Sequence, residues 1–339
     1  MNLIKASVAI IITMLLFGCF PSNELNKQQV LLQGKTMGTT YNIKVIVEGE
    51  TINTQALHTN IDKLLVQVNQ EMSTYIPTSE LSLFNHNNST EPVEVSIGLQ
   101  RVIAEAIRLG EISEGKLDVT VGPLVNLWGF GPQYKPEVIP SDELLAKTKA
   151  KIGLANLSLN GKMLSKAIPE LYVDLSTIAK GYGVDVVAEL IEQTGITNYL
   201  VEIGGEMRVK GFKHTGELWH VAIEKPVTEE RSIHQMIVPG DNAVATSGDY
   251  RNFYEVDGQR FSHIIDPDTG MPIKHKLVSV TVIHPSSMTA DGLSTAMMVM
   301  GDEKALEFAK KYDLAAYLIS KTDNGFVEQS TVKFMQYLK

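Results

Sequence analysis

One cysteine, Cys19, stands in a chain of 339 residues. No internal disulfide can form, and no cysteine-rich metal site can take the place of a core. The fold therefore has to rest on buried apolar surface. The composition supplies it, with 44% hydrophobic and 20% charged residues. That balance excludes disordered and low-complexity classes. The length allows one large domain or two to three smaller ones. A formal net charge of -9 argues against nucleic acid as a partner, because backbone binding needs clustered Lys and Arg.

The position of the cysteine adds a second constraint. Lys5 is the only charged residue before Glu24, and the 13 residues between Lys5 and Cys19 are nearly all apolar. A spanning helix needs about 20 apolar residues, so this run suits the core of a signal peptide. Leu16-Phe17-Gly18-Cys19 resembles the bacterial lipobox, whose cysteine thiol is lipidated and becomes the first mature residue. The expected organisation is a signal peptide over 1–18, a lipidated polar tether over 19–30 and a folded domain over 31–339. Such a chain is exported and held at the periplasmic face of the inner or outer membrane by its acyl chains. Phe20 follows the cysteine. An Asp there would favour inner-membrane retention.

Hydrophobic periodicity gives the elements. Residues 41–47 alternate like a strand. Leu57, Ile61, Leu64, Leu65, Val68 and Met72 share a helical face. Further helices are expected around 102–107, over 178–191 with Gly195 as a stop, from near Thr289 to Gly301, and through Ala305–Tyr312. The stretch 199–283 is rich in strand signals, including the alternations Trp219/Val221/Ile223 and Val278/Val280/Val282. Leu171-Tyr172-Val173 also reads as a strand. Interspersed helices and hairpin-ready strands predict an α+β fold. It would have mixed, largely antiparallel sheets with packed helices, as one compact catalytic unit of one or two lobes.

Several common sites are excluded. Gly34-Lys35-Thr36 looks like the end of a phosphate-binding P-loop, but Gln29 stands where its first glycine belongs. No G-x-G-x-x-G opens a helix, which argues against a Rossmann site, and no G-x-S-x-G elbow is present. The eight histidines never fall within five residues of one another, which excludes H-E-x-x-H and finger-type zinc.

Five stretches carry possible chemistry, each with a plain structural alternative. Asp291 and Thr295 are i, i+4 on one helical face and offer oxygens to a hard cation. The alternative is a helix capped by Thr289, with Asp291 complementing the dipole. Residues 174–183 pair an acid with Lys180 at a strand-to-helix junction suited to anions, or form an N-cap and a solvated lysine. Glu202-Ile203-Gly204-Gly205-Glu206 ends a strand in a turn that admits positive φ or a close ligand. His263 precedes the turn Asp266-Pro267-Asp268-Thr269-Gly270, as a structural histidine or a proton shuttle. Residues 122–132 could hold a flat ring or form a packed loop, and Met72-Ser73-Thr74-Tyr75 offers a similar surface.

Eight ordered blocks together form a family pattern. They are residues 34–39 (GKTMGT), 72–75 (MSTY), 117–123 (LDVTVGP), 173–181 (VDLSTIAKG), 202–206 (EIGGE), 246–251 (TSGDYR), 262–267 (SHIIDP) and 290–296 (ADGLSTA). With them the chain resembles the ApbE family of flavin transferases over about residues 30–320. The resemblance implies an enzyme that uses FAD as substrate and Mg2+ as cofactor. It would move the FMN half of FAD onto a protein threonine as a phosphoester and release AMP.

Carried over by position, Met37, Tyr75, Lys116, Leu117, Asp118, Asp174, Lys180 and Ile265 would line the FAD site. Asp291 and Thr295 would ligate the metal through side-chain oxygens and Thr177 through its carbonyl. Lys116-Leu117 departs from the small-aromatic pair common in the family before the aspartate. His263 is the candidate base, since a threonine hydroxyl is a weak nucleophile. Implied partners are threonine-bearing acceptors, such as subunits of Na+-translocating NADH:quinone reductase or the Rnf complex. Two other functions are compatible with the motifs. One is an FAD pyrophosphatase giving FMN and AMP. The other is a non-catalytic FAD-binding lipoprotein, which would not need the Asp291/Thr295 pair.

Overall fold

Residues 27–49, 52–131, 139–227, 232–250, 252–256 and 259–339 are described by a computed structural model. Residues 1–18, Cys19 and the tether up to residue 26 lie outside the described residues, as do Pro132 and Arg251.

In chain order the elements begin with a hairpin, β1 (Lys27–Thr36) and β2 (Thr39–Glu48). Helices α1 (Thr54–Met72) and α2 (Glu80–His86) follow, then β3 (Val93–Glu94) and α3 (Ile97–Ile112). Next come α4 (Gly122–Leu127), α5 (Asp142–Lys149), β4 (Leu157–Asn160), β5 (Met163–Lys166) and α6 (Ala179–Gln193). The strand-rich region holds β6 (Tyr199–Ile203), β7 (Glu206–Lys210), β8 (Val221–Glu224), β9 (Ile233–Ile237), β10 (Ala243–Gly248), β11 (Phe253–Val256), β12 (Gln259–Ser262) and β13 (Leu277–His284). The chain continues through α7 (Ser287–Met300), α8 (Asp302–Lys311), β14 (Ala315–Thr322) and β15 (Gly325–Ser330).

One eight-stranded sheet, ordered β1-β2-β6-β7-β10-β13-β14-β15, runs through the molecule, and its pairings are antiparallel. Antiparallel neighbours need only short connections, which the paired alternating segments supply. Helices cover one face. The apolar stripe of α1 buries Leu57, Ile61, Leu65, Val68 and Met72, with Leu64 at its edge. The β8–β9 hairpin covers the other face through Trp219, Val221, Ile223 and Ile237. β13 is central and buried on both sides from Leu277 to Ile283, with Val280 and Val282 facing the helices and Val278 and Ile283 facing the hairpin. The α+β expectation therefore holds, with small antiparallel sheets β3-β5-β4, β8-β9 and β11-β12 beside the eight-stranded one.

Three local expectations are corrected. Residues 27–30, assigned to the tether, already belong to β1, where Lys27–Val30 pair with Val45–Glu48. Leu171–Val173 is not a strand. Its backbone is satisfied by a side chain instead: Asn85 Nδ2 donates to the Val173 carbonyl and Asn85 Oδ1 accepts its N–H, both at 2.8 Å. Ser286, not Thr289, caps α7 by accepting from the Thr289 N–H at 3.2 Å, and the Thr289 hydroxyl donates to Glu105 at 2.6 Å.

Candidate active site

The site lies where α6, α7 and the β6–β7 turn meet. Gly181, in the first turn of α6, makes the meeting possible. A Cβ there would fall 2.3 Å from the Ser287 carbonyl oxygen, so only glycine lets α6 come this near to α7. The approach brings the Gly181 N–H to Asp291 Oδ2 at 3.0 Å. A helix N-terminus presents unused N–H groups, and a carboxylate from a neighbouring helix is a natural partner. The start of α7 is held in the same manner from α6. The buried Asp185 carboxylate accepts from Ser286 Oγ at 2.7 Å and from the Ser287 and Met288 N–H groups at 3.0 Å, and Arg208 pairs with it at 3.1 Å.

Asp291 and Thr295 then project from α7 into a cavity of about 430 Å3. Its lining combines polar groups, among them Thr177, Lys180, Glu206, Ser247 and His263, with apolar ones, among them Leu117, Val121, Val125, Phe130 and Ile265. Tyr75, Lys116, Asp118 and Asp174 complete the predicted set around it. A second cavity of about 620 Å3 adjoins it, sharing Tyr75, Asp174, Ser176 and Lys180 and adding Met37. The structure thus gathers every described residue singled out in the sequence as a site candidate into two contiguous cavities. Cys19 is the one candidate outside the described residues.

The details separate these residues. Lys180 Nζ lies 2.9 Å from Glu206 Oε1 and 3.8 Å from Asp291 Oδ1. Burial would drive the ammonium to lose its proton, but the two carboxylates reverse that and raise its pKa. Burial pushes Glu206 up to about 7 against the opposing pull of Lys180, and Asp291 is raised for the same reason. Thr295 Oγ1 is 3.1 Å from Ser247 Oγ. Thr177 lies one residue before Ile178, the N-cap of α6, so its carbonyl stands outside the helical ladder, which opens with the Tyr182 N–H on the Ile178 carbonyl. Among the described residues the Thr177 hydroxyl is buried without a partner. One carboxylate, hydroxyls and a carbonyl make an oxygen set that fits a hard cation completed by water or phosphate. No group of three His, Cys, Asp or Glu converges on a metal position among the described residues.

His263 follows β12. Its Nδ1 lies 2.9 Å from the Asn252 carbonyl, which can only accept, so Nδ1 carries the hydrogen and Nε2 keeps the lone pair. Burial lowers its pKa, with Lys180 and Arg260 adding to the effect. Asp118 Oδ1 is committed to the Thr120 N–H at 2.7 Å and hydroxyl at 2.6 Å, and burial raises its pKa. Asp174 Oδ1 accepts from the Ser176 N–H at 2.9 Å. Lys116 is tied to Asp266 at 2.9 Å and Asp268 at 2.7 Å, so its ammonium braces the 266–270 turn. Leu117 and Ile265 are buried, while Tyr75 is 70% exposed at the rim.

The 122–131 stretch combines both of its readings. Trp128 is fully buried and donates to the Gly270 carbonyl at 2.8 Å, whereas Phe130 lines the cavity and stacks on Tyr254 at 5.1 Å. Glu206, Ser247 and Asn252 were not among the sequence candidates. The first two stand in the quoted blocks 202–206 and 246–251, but nothing local marks them.

The family model described as the ApbE family matches residues 37–318. A relative named FAD:protein FMN transferase from Vibrio cholerae is 54% identical over 331 residues, covering 98% of each chain. One of the same name from Haemophilus influenzae is 49% identical over 340 residues, covering 98% of this chain and 97% of the relative. The solved flavin transferase ApbE from Vibrio cholerae superposes with a TM-score of 0.87 at 54% identity, covering 92% of this chain and all of that one. A match over most of the chain, by sequence and by fold, carries the conclusion that this protein belongs to the ApbE family.

Proposed function

We propose that the chain is an Mg2+-dependent FAD:protein FMN transferase that places FMN on a threonine hydroxyl of a target protein. The observation that carries the reading is the convergence of Asp291, Thr295, Thr177, Lys180 and His263 on one cavity that Phe130 and apolar side chains also line. Relatives at 54% and 49% identity bear that activity in their names.

The reaction forms a bond from threonine Oγ to the FMN phosphorus. It breaks the pyrophosphate P–O bond to AMP, and the hydroxyl proton has to leave. Asp291, Thr295 and the Thr177 carbonyl would hold Mg2+, which when bound neutralises charge on the pyrophosphate oxygens. His263 Nε2 takes the threonine proton, and the Nδ1–H bond to Asn252 fixes the ring in the tautomer that can do so. Lys180 adds positive charge at the phosphate end. Phe130, Ile265 and Tyr75 offer flat or apolar contact to a ring, and Asp174, with Oδ1 on the Ser176 N–H, offers its other oxygen to a hydroxyl or ring N–H.

The leader ending at Cys19 supports an exported, lipid-anchored enzyme at the periplasmic face. Its acceptors would be flavin-bearing subunits of membrane redox pumps, of the Na+-translocating NADH:quinone reductase or Rnf kind. Among the described residues no helix is long and apolar enough to cross a membrane.

The test incubates the form lacking residues 1–19 with FAD, Mg2+ and a threonine-bearing acceptor fragment. Flavin fluorescence of the denatured acceptor and AMP release are read in parallel. Labelled acceptor with matching AMP is expected. AMP without labelled acceptor points to FAD hydrolysis, and binding without either product points to a carrier.

A further inference from the structure

Glu206 is the least explained charge in the site. It opens β7 directly after the Gly204-Gly205 turn, where both glycines have positive φ, 61° and 110°. Its side chain is only 4% exposed and lines the cavity. One oxygen, Oε1, meets Lys180 at 2.9 Å, and the other, Oε2, is buried with no hydrogen-bond partner among the described residues. A buried carboxylate with a free oxygen is costly to keep unless it performs a task.

The task can be read from the geometry of three groups. Lys180 sits between two carboxylates but not midway, at 2.9 Å from Glu206 and 3.8 Å from Asp291. Asp291 is held from the other side, where Oδ2 accepts the Gly181 N–H at 3.0 Å. Gly204 packs beside the lysine stem, since a Cβ there would stand in van der Waals contact with Lys180 Cδ at 3.4 Å, while the tight neighbour is Thr39 Cγ2 at 2.8 Å. The turn therefore lies against the stem, and Glu206 draws the ammonium towards β7.

We propose that Glu206 is a positioning residue that holds Lys180 off Asp291, so that Asp291 Oδ1 stays free for a divalent cation. Charge counting gives the same answer. A lysine paired with Asp291 alone would neutralise the one carboxylate of the oxygen set. With Glu206 as the nearer partner, at 2.9 Å against 3.8 Å, the ammonium is shared and Asp291 is compensated less. The inference rests on the cation-dependent reading above and goes beyond it by giving Glu206 a role that no metal contact requires.

The test uses the full-length chain in detergent with Mg2+ as the probe, titrated calorimetrically, and a crystal structure of each variant. Glu206→Gln keeps the shape and removes the charge. The expected result is an Mg2+ dissociation constant raised roughly 10–100-fold, with Lys180 Nζ moved to hydrogen-bonding distance of Asp291. Glu206→Asp keeps the charge and should recover part of the affinity, which also covers the case in which the Gln variant fails to fold. Mg2+ affinity within twofold of wild type, or an ammonium that stays where it is, overturns the proposal. A lower melting temperature with unchanged affinity would mark a purely structural residue and overturns it as well. If wild type and Asp291→Ala bind Mg2+ equally, the cation reading itself fails, and the Lys180–Asp291 distance in Glu206→Gln still decides the positioning claim.

Discussion

The Gly181 N–H on α6 donates to Asp291 Oδ2 on α7 at 3.0 Å, although 110 positions separate the two residues. This one bond orients the carboxylate and ties the start of α6 to α7. A Cβ on Gly181 would stand 2.3 Å from the Ser287 backbone oxygen, which cannot swing aside as a side chain can. Gly181→Ala should therefore cost about 1–3 kcal/mol of stability through overpacking. It should also depress transfer, because the helices must separate. A urea midpoint and a transfer rate both equal to wild type would contradict this.

Asp291→Ala should leave a folded protein with no Mg2+-dependent transfer. The substitution removes the one carboxylate of the oxygen set while Glu206 still pairs Lys180 at 2.9 Å. Chelation of Mg2+ from the wild-type enzyme should have the same effect and be reversed by adding the ion back. Circular dichroism and a single-turnover assay check the two halves of the claim. A fully active variant would sink the metal assignment.

His263→Ala should keep FAD binding and slow transfer by at least about 100-fold, the lower range for loss of general-base help. Its pKa is lowered by burial, so the ring is neutral at pH 7 and Nε2 can accept a proton. Protonation at lower pH removes that capacity. The transfer rate should thus rise with pH through a value below 6.5 and then level off, and the acidic limb should vanish in the alanine variant. An unchanged single-turnover rate would take the histidine out of the mechanism.

Asp185→Ala should be among the most destabilising single changes near the site. It strips partners from Ser286 Oγ, two N–H groups of α7 and Arg208 at once, in a buried place. Removing one member of a buried ion pair costs about 3–5 kcal/mol. Thermal melts should show a clear loss. A melting temperature within a degree of wild type would mean that Ser286 alone suffices to start α7.

The sequence was legible where the signal is local. The stripe Leu57–Met72 became α1 because burial on one face imposes the period. The strand signal Val278/Val280/Val282 became β13, although a register shift between Leu277 and Ser279 sets Val278 on the opposite side from Val280 and Val282. The Gly204-Gly205 turn and the 266–270 turn were visible because glycine and Asp-Pro-Asp mark reversals. Leu171–Val173 misled because its apolar residues satisfy the strand pattern while its ladder partner is the side chain of Asn85. Ser286 and Thr289, three residues apart, have the same capping chemistry, so local sequence does not separate them, and the structure places the cap at Ser286.

For the site, the chain by itself determined which residue types were on hand and in what order: an acid and a hydroxyl one turn apart, a lysine opening a helix, a histidine before a turn. Tertiary structure decided what each of them does. Glu206, Ser247 and Asn252 have no local mark, since their roles arise from distances to Lys180, Thr295 and His263 across the fold. Lys116 lines the cavity as expected, but its pairing with Asp266 and Asp268 is a contact that spacing does not show. Spacing along a chain specifies only neighbours within a turn or a strand pair. Charge pairing, burial and the direction of a lone pair are set by groups far apart in sequence, and those three quantities govern the chemistry of this cavity.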